Sequence, residues 1–259
     1  LAQGCLLKNM DLPVPAREMT INLKGKDALG KQELLVLNML QTNDWKRPMY
    51  YAITVSPDQF VKLDPYFQQT GMAYQIVPMQ TKNTVKAVNA DKMFDNVMNK
   101  FKWGGVDKPG IYLDENVMRM CKSYRMVLFG KLAATLIHEG KNDKALQVLD
   151  KCMEVLPPEN VPLDYSALSI GEYYYTLGQK EKGHNILKAI GDDSMRNLNW
   201  YFRLNPKQFA SVADDLNTNL YVLQEIINIT KDKDPELMNQ YKEEFDNFRM
   251  ALSSLQPKE

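Results

Sequence analysis

The chain has 259 residues, 44% of them hydrophobic and 25% charged, which is an ordinary globular composition with enough apolar material for a sizeable core. Lysine plus arginine equals aspartate plus glutamate, 32 each, and no basic stripe stands out, so nothing in the overall charge draws the chain to nucleic acid or to an anionic membrane. The longest apolar runs, "YYAITV" and "LLVL", fall far short of the roughly 18 residues of a membrane span.

The sequence opens at Leu1 without a signal segment, and "LAQGC" resembles a lipoprotein cleavage site that lacks its apolar stretch. We read the chain as a fragment whose targeting information lies upstream. Cys5, Cys121 and Cys152 are too few and too far apart for a disulfide framework, and no CxxC occurs. His138 and His184 stand 46 residues apart without a metal-binding partner motif, so neither a metal nor a cofactor is expected.

In chain order, "EMTINL" (Glu18 to Leu23) alternates and predicts a strand. "GKQELLVLNMLQTN" predicts a helix, stopped at Asn43 in the left-handed conformation that asparagine tolerates. "NDWKRPMYYAITV" then runs from loop to strand. Arg47 precedes Pro48 and is held extended, and "MYYAITV" is apolar on both faces, as in a central strand of a parallel sheet. Ser56-Pro57-Asp58-Gln59 predicts a capped helix to Leu63, and "MAYQIVPM" a third strand. The expectation is a β-α-β-α-β layer with right-handed crossovers. No phosphate-binding glycine motif follows any of these strands, and Asp58 would repel a nucleotide.

Asn89 opens an amphipathic helix through Met93, Val97 and Phe101. Gly104, Gly105, Pro109 and Gly110 then break the chain, dividing a small α/β subdomain (1–110) from a helical domain (111–259). Asp114 caps a long helix through Met120, Tyr124, Leu128 and Leu132. From there the chain matches itself at an offset of 38: Leu132 with Ile170, Ala133 with Gly171, Leu136 with Tyr174, Gly140 with Gly178, Ala145 with Gly183 and Leu149 with Leu187. Small residues recur where two helices must approach closely, a glycine recurs at the turn, and Pro157 closes the first unit. This resembles the tetratricopeptide repeat. Asn205-Pro206 and Asp234-Pro235 open the two helices of a third hairpin, the first running to Ile227 and the second suited to capping the stack. The fold class expected is α+β, mostly helical.

Four segments together, "MTINLKGKDALGKQELLVLNMLQTNDWKRPMYYAITV", "LDPYFQQTGMAYQIVP", "FKWGGVDKPGIYLDENVMRM" and "LIHEGKNDKALQVLDKCMEVLPPENVPLDY", resemble the C-terminal soluble region of a bacterial membrane-protein family. The multi-spanning N-terminal part of that family is similar to protein O-mannosyltransferases, which use lipid-linked sugars. The resemblance covers about Met19 to Tyr165. It implies a catalytic carboxylate in a membrane part that this sequence does not include, so no catalytic residue is expected here. It also implies a place on the periplasmic face of the inner membrane.

The function expected is that of a non-catalytic accessory domain of a membrane glycosyltransferase. Its partners would be the membrane part of the same parent and a protein or glycan acceptor, without nucleic acid. The alternative is a free-standing tetratricopeptide-type adaptor. A self-contained enzyme is disfavoured, because Asp214 and Asp215 have no histidine, cysteine cluster or glycine loop to work with. The candidate interaction residues are Trp45 and Arg47 from the opening loop and His138, Tyr165, Glu172 and Tyr175 from the groove face of the hairpins. That face offers Gly130 and Ala134 where a carboxylate clamp needs cations.

Overall fold

A computed structural model describes residues 19–82 and 87–255. The chain divides into two units, Leu1–Phe101 and Lys102–Glu259. It is α+β and mostly helical, with one small sheet in the first unit.

The first unit is built on helix α1 (Lys31–Asn43) and three short strands, β1 (Tyr50–Ala52), β2 (Phe67–Gln69) and β3 (Ala73–Ile76). The sheet is antiparallel in the order β1-β3-β2, with Tyr51 opposite Tyr74 and Gln68 opposite Gln75. This corrects the parallel crossover layer expected from sequence. Only Thr70, Gly71 and Met72 join β2 to β3, far too few for a crossover. "MYYAITV" supplies a three-residue edge strand, not a central one, and the chain turns away after Ala52. Ser56–Leu63 forms a 3-10 turn (Pro57–Phe60) rather than an α-helix, and Ser56 makes no side-chain cap.

The expected first strand is also absent. Residues 19–23 pair with no strand, and Glu18 lies outside the described residues. Their alternation survives as burial, because Met19, Ile21 and Leu23 pack on the core formed by Val61, Leu63, Tyr66, Phe67 and Ile76. Tyr66 ties this segment down by donating its hydroxyl to Thr20 O at 2.8 Å. Tyr51, Phe60, Phe67 and Tyr74 form an aromatic cluster over the same core, Phe60 edge-on to Phe67 at 4.9 Å and Phe67 stacked on Tyr74 at 5.4 Å. Helix α2 (Ala90–Asp95) starts at Asn89, which caps it as expected by accepting from Lys92 N at 3.1 Å, and ends in a π turn (Asn96–Lys100).

The second unit is helical. Asp114 caps α3 (Glu115–Tyr124) by accepting from Asn116 N at 2.8 Å and Val117 N at 3.0 Å. A π turn (Arg125–Gly130) carries α3 into α4 (Lys131–His138), completing the long helix read from sequence. Then come α5 (Asn142–Val155), α6 (Leu168–Thr176) and α7 (Lys180–Tyr201). Asn205 opens α8 (Pro206–Ser211), a break at Val212 precedes α9 (Ala213–Thr230), and α10 (Pro235–Leu255) ends the described chain. The helix expected from Pro206 to Ile227 is thus two helices.

The 38-residue offset is present in the backbone. Gly140 and Gly178 turn the α4–α5 and α6–α7 hairpins at φ of 72° and 75°, where other residues are strained. Lys141 N donates to Leu136 O at 2.8 Å, and 38 residues on Gln179 N donates to Tyr174 O at 2.8 Å. All six matched pairs except the two turn glycines are buried in both hairpins.

The second hairpin is closely packed at its glycines. A Cβ on Gly183 would stand 2.7 Å from the Tyr175 ring and 3.0 Å from Gly171 O. Gly183→Ala is therefore expected to destabilise by about 1–3 kcal/mol. A thermal melt measured by circular dichroism checks this, and an unchanged midpoint would show that the helices are not held at this separation.

Candidate functional site

The residues singled out by sequence fall in both units. In the first, α1 ends at Asn43, and Asp44 and Trp45 follow with φ of 44° and 57°. The left-handed stop falls on these two residues rather than on Asn43. A bulky side chain rarely takes that conformation, and here two side chains hold the loop. Asn43 clips it by donating Nδ2 to Arg47 O at 2.6 Å and accepting from Arg47 N at 3.2 Å. Trp45 packs, half-buried, against the Val61–Ile76 core.

This clip turns the Arg47 side chain outward. Arg47 is exposed, and among the described residues no carboxylate pairs with it. With Met39, Thr42, Asn43, Pro48, Met49 and Tyr50 it lines an open groove of about 470 Å³. Lys92 stands at Tyr50, donating to its hydroxyl at 2.9 Å and to Gln75 Oε1 at 3.0 Å, with its ammonium 5.3 Å from the ring centroid. An apolar floor with an unpaired guanidinium and a phenol suits a carboxylate or other polar acceptor on a partner.

In the second unit the predicted residues part company. His138 and Tyr165 are exposed, and Glu172 is half-buried with its carboxylate 3.8 Å from Lys233. Tyr175 is buried, and its hydroxyl donates to Asp234 Oδ2 at 2.7 Å, so it serves α10 rather than a groove. His184 Nδ1 lies 2.8 Å from the same oxygen and, facing an ionised acceptor, is its donor. Asp234 Oδ1 also accepts from Leu237 N at 3.4 Å, capping α10. Burial works against the charge of Asp234, but the bonds from His184 and Tyr175 outweigh it and hold its carboxyl below the ordinary range.

Sequence reasoning passed over Arg125. Its guanidinium is buried in the π turn and donates to Leu156 O, Val161 O, Pro162 O and Ser166 Oγ at 2.8–3.3 Å. It thereby gathers the loop between the two hairpins. Burial beside it pushes the Cys152 thiol up to about 12, well out of the reactive range. Among the described residues no group of three or more His, Cys, Asp or Glu is placed to hold a metal ion. None of the described helices is long and apolar enough to cross a membrane.

The fold and these sites define a mostly helical α+β chain whose polar clusters tie helices together and whose open groove faces outward from the first unit. Residues 2–95 match the model of TMEM260-associated domain 2, and the match contains the whole groove. The similarity is consistent with a domain from a TMEM260-like membrane protein family. No curated protein and no solved structure matches the chain.

Proposed function

We propose that the chain is a non-catalytic accessory domain of a membrane glycosyltransferase, lying on the periplasmic face of the inner membrane and docking against the membrane part of its parent. The observation that carries this reading is the groove around Arg47. The Asn43 clip bonds the backbone of the loop that lines it, it lies within the residues that match the TMEM260-associated domain, and its guanidinium is unpaired among the described residues. The resemblance to the soluble region of a protein O-mannosyltransferase-like family supports the glycosyltransferase part of the reading.

The test is to express the membrane part and this chain as separate polypeptides and measure their affinity. Losing a hydrogen bond to a charged group costs roughly 1.5–3 kcal/mol. Arg47→Ala should therefore weaken association by about 10- to 100-fold at an unchanged melting temperature. Unaltered affinity would remove the groove from the interface. Turnover of a lipid-linked sugar by this chain alone would overturn the non-catalytic reading.

A second reading, a tetratricopeptide-type adaptor, draws support from the paired turns at Gly140 and Gly178. On that reading exposed His138 and Tyr165 would meet a peptide, while Tyr175 would stay with Asp234.

A further inference from the structure

Helix α1 carries large apolar side chains on two sides. Val36, Leu37 and Leu40 pack on the core of the first unit, and Glu33 turns inward with them to pair with Lys26. The opposite arc carries Lys31, Leu34, Leu35, Asn38, Met39 and Thr42, since 3.6 residues per turn places these six within about 140°. Leu34 is 54% exposed, Leu35 58% and Met39 46%, and Tyr50 at the end of the arc 44%. Among the described residues these are all the large, well-exposed hydrophobic side chains of the first unit. A helix that already packs one apolar face and still leaves three large apolar side chains in the open has a surface available for a partner.

Size and charge decide what covers it. A helix of 13 residues is about 20 Å long and 10 Å wide, so the arc offers on the order of 200 Å². A stable protein interface needs about 800 Å² from each partner, several times more. A lipid surface asks for no such area and no shape match. An apolar helical face sinks about 5–10 Å into the headgroup boundary, helped by lysine and arginine beside it. The arc sets Leu34, Leu35 and Met39 among polar residues with cations beside them. Lys31 lies on it, Lys46 and Arg47 follow its end, and Asp44 is the one acid among these flanking positions. The balanced charge of the whole chain conceals this local excess of two positive charges.

We propose that the first unit rests on an anionic bilayer surface through the outward arc of α1, with Leu34, Leu35 and Met39 entering the headgroup layer. This goes beyond docking to a protein partner, and it is tested without that partner. The 259-residue chain is sedimented with vesicles of phosphatidylcholine alone and with vesicles containing about a third phosphatidylglycerol. Two net charges should raise the partition coefficient on the order of 25-fold for the anionic vesicles. Leu35→Glu with Met39→Glu should abolish the binding at an unchanged melting temperature, both side chains being surface-exposed. Lys46→Glu with Arg47→Glu should remove the preference for anionic lipid. Absence of sedimentation with either vesicle overturns the proposal, as does binding that survives Leu35→Glu with Met39→Glu. A chain that is dimeric in solution and becomes monomeric with that double substitution also overturns it, since a second copy would then cover the arc. Unaltered affinity of Arg47→Ala for the membrane part in the earlier experiment leaves this result standing, so the two readings fail separately.

Discussion

Arg125→Ala is expected to lower the stability of the second unit by about 4 kcal/mol or more. The guanidinium is fully buried and donates to three carbonyls and a hydroxyl. Removing it leaves those acceptors in the interior without water, at about 1–3 kcal/mol for each one unsatisfied, and opens a cavity besides. Whole domains are stable by only about 5–15 kcal/mol. The melting midpoint should fall by roughly 8–16 °C in a unit of this size. Lysine is expected to recover little, because a single ammonium cannot span acceptors placed around a planar fork. A midpoint restored by Arg125→Lys would show that charge alone, not the four-way geometry, holds the loop.

Asp234→Ala is expected to cost about 3 kcal/mol. It removes the cap of α10, worth about 1 kcal/mol, and leaves the buried Tyr175 hydroxyl without its acceptor, at about 1–3 kcal/mol. The carboxyl is held below its ordinary value in the folded chain. Its contribution is therefore complete above the unfolded value of about 4 and is lost as pH falls through the lower folded value. Asp234→Asn keeps a cap but not the charge. Between about pH 2 and 5 the difference in melting midpoint between the natural chain and Asp234→Asn should shrink steadily as the medium becomes more acid. A difference that stays constant over that range would mean that the ionised form is not what the fold uses.

The helices were legible because their apolar spacing reports burial directly. Asn89 and Asp114 cap where they stand in sequence, and the 38-residue offset reappears as matching backbone bonds at Lys141 and Gln179. The sheet was not legible, for a physical reason. Strand β2 is "FQQ", and its glutamines are buried because Asn89, on the way into α2, supplies polar partners, donating Nδ2 to Gln68 Oε1 and its own N–H to Gln69 O. A polar strand with internal partners looks like a loop in one dimension. "MYYAITV" misled in the opposite sense: its two apolar faces reflect an aromatic cluster on one side and a half-exposed edge on the other.

Of the candidate sites, the Asn43–Tyr50 loop stood out in sequence because tryptophan, arginine and proline crowd the mouth of a strand. Arg125 and the Tyr175–Asp234–His184 cluster did not. Their members are far apart in the chain, and a lone arginine or an Asp-Pro pair has an everyday surface use. Tyr175 was visible as a residue, but its partner Asp234 lies 59 positions away, a separation no local pattern reports.

The turn glycines of the two hairpins bear on how such a chain can change over time. A hairpin whose bend is set by one left-handed backbone position does not depend on a particular set of side chains to keep its angle. Once Gly140 and Gly178 are in place, the outward positions of both hairpins are at liberty to diverge without altering how the helices return. The geometry of the two matching bends is then stored in two atoms' absence, the missing Cβ at each turn. Recognition surfaces of quite different chemistry can be written onto the same pair of bends, one hairpin at a time.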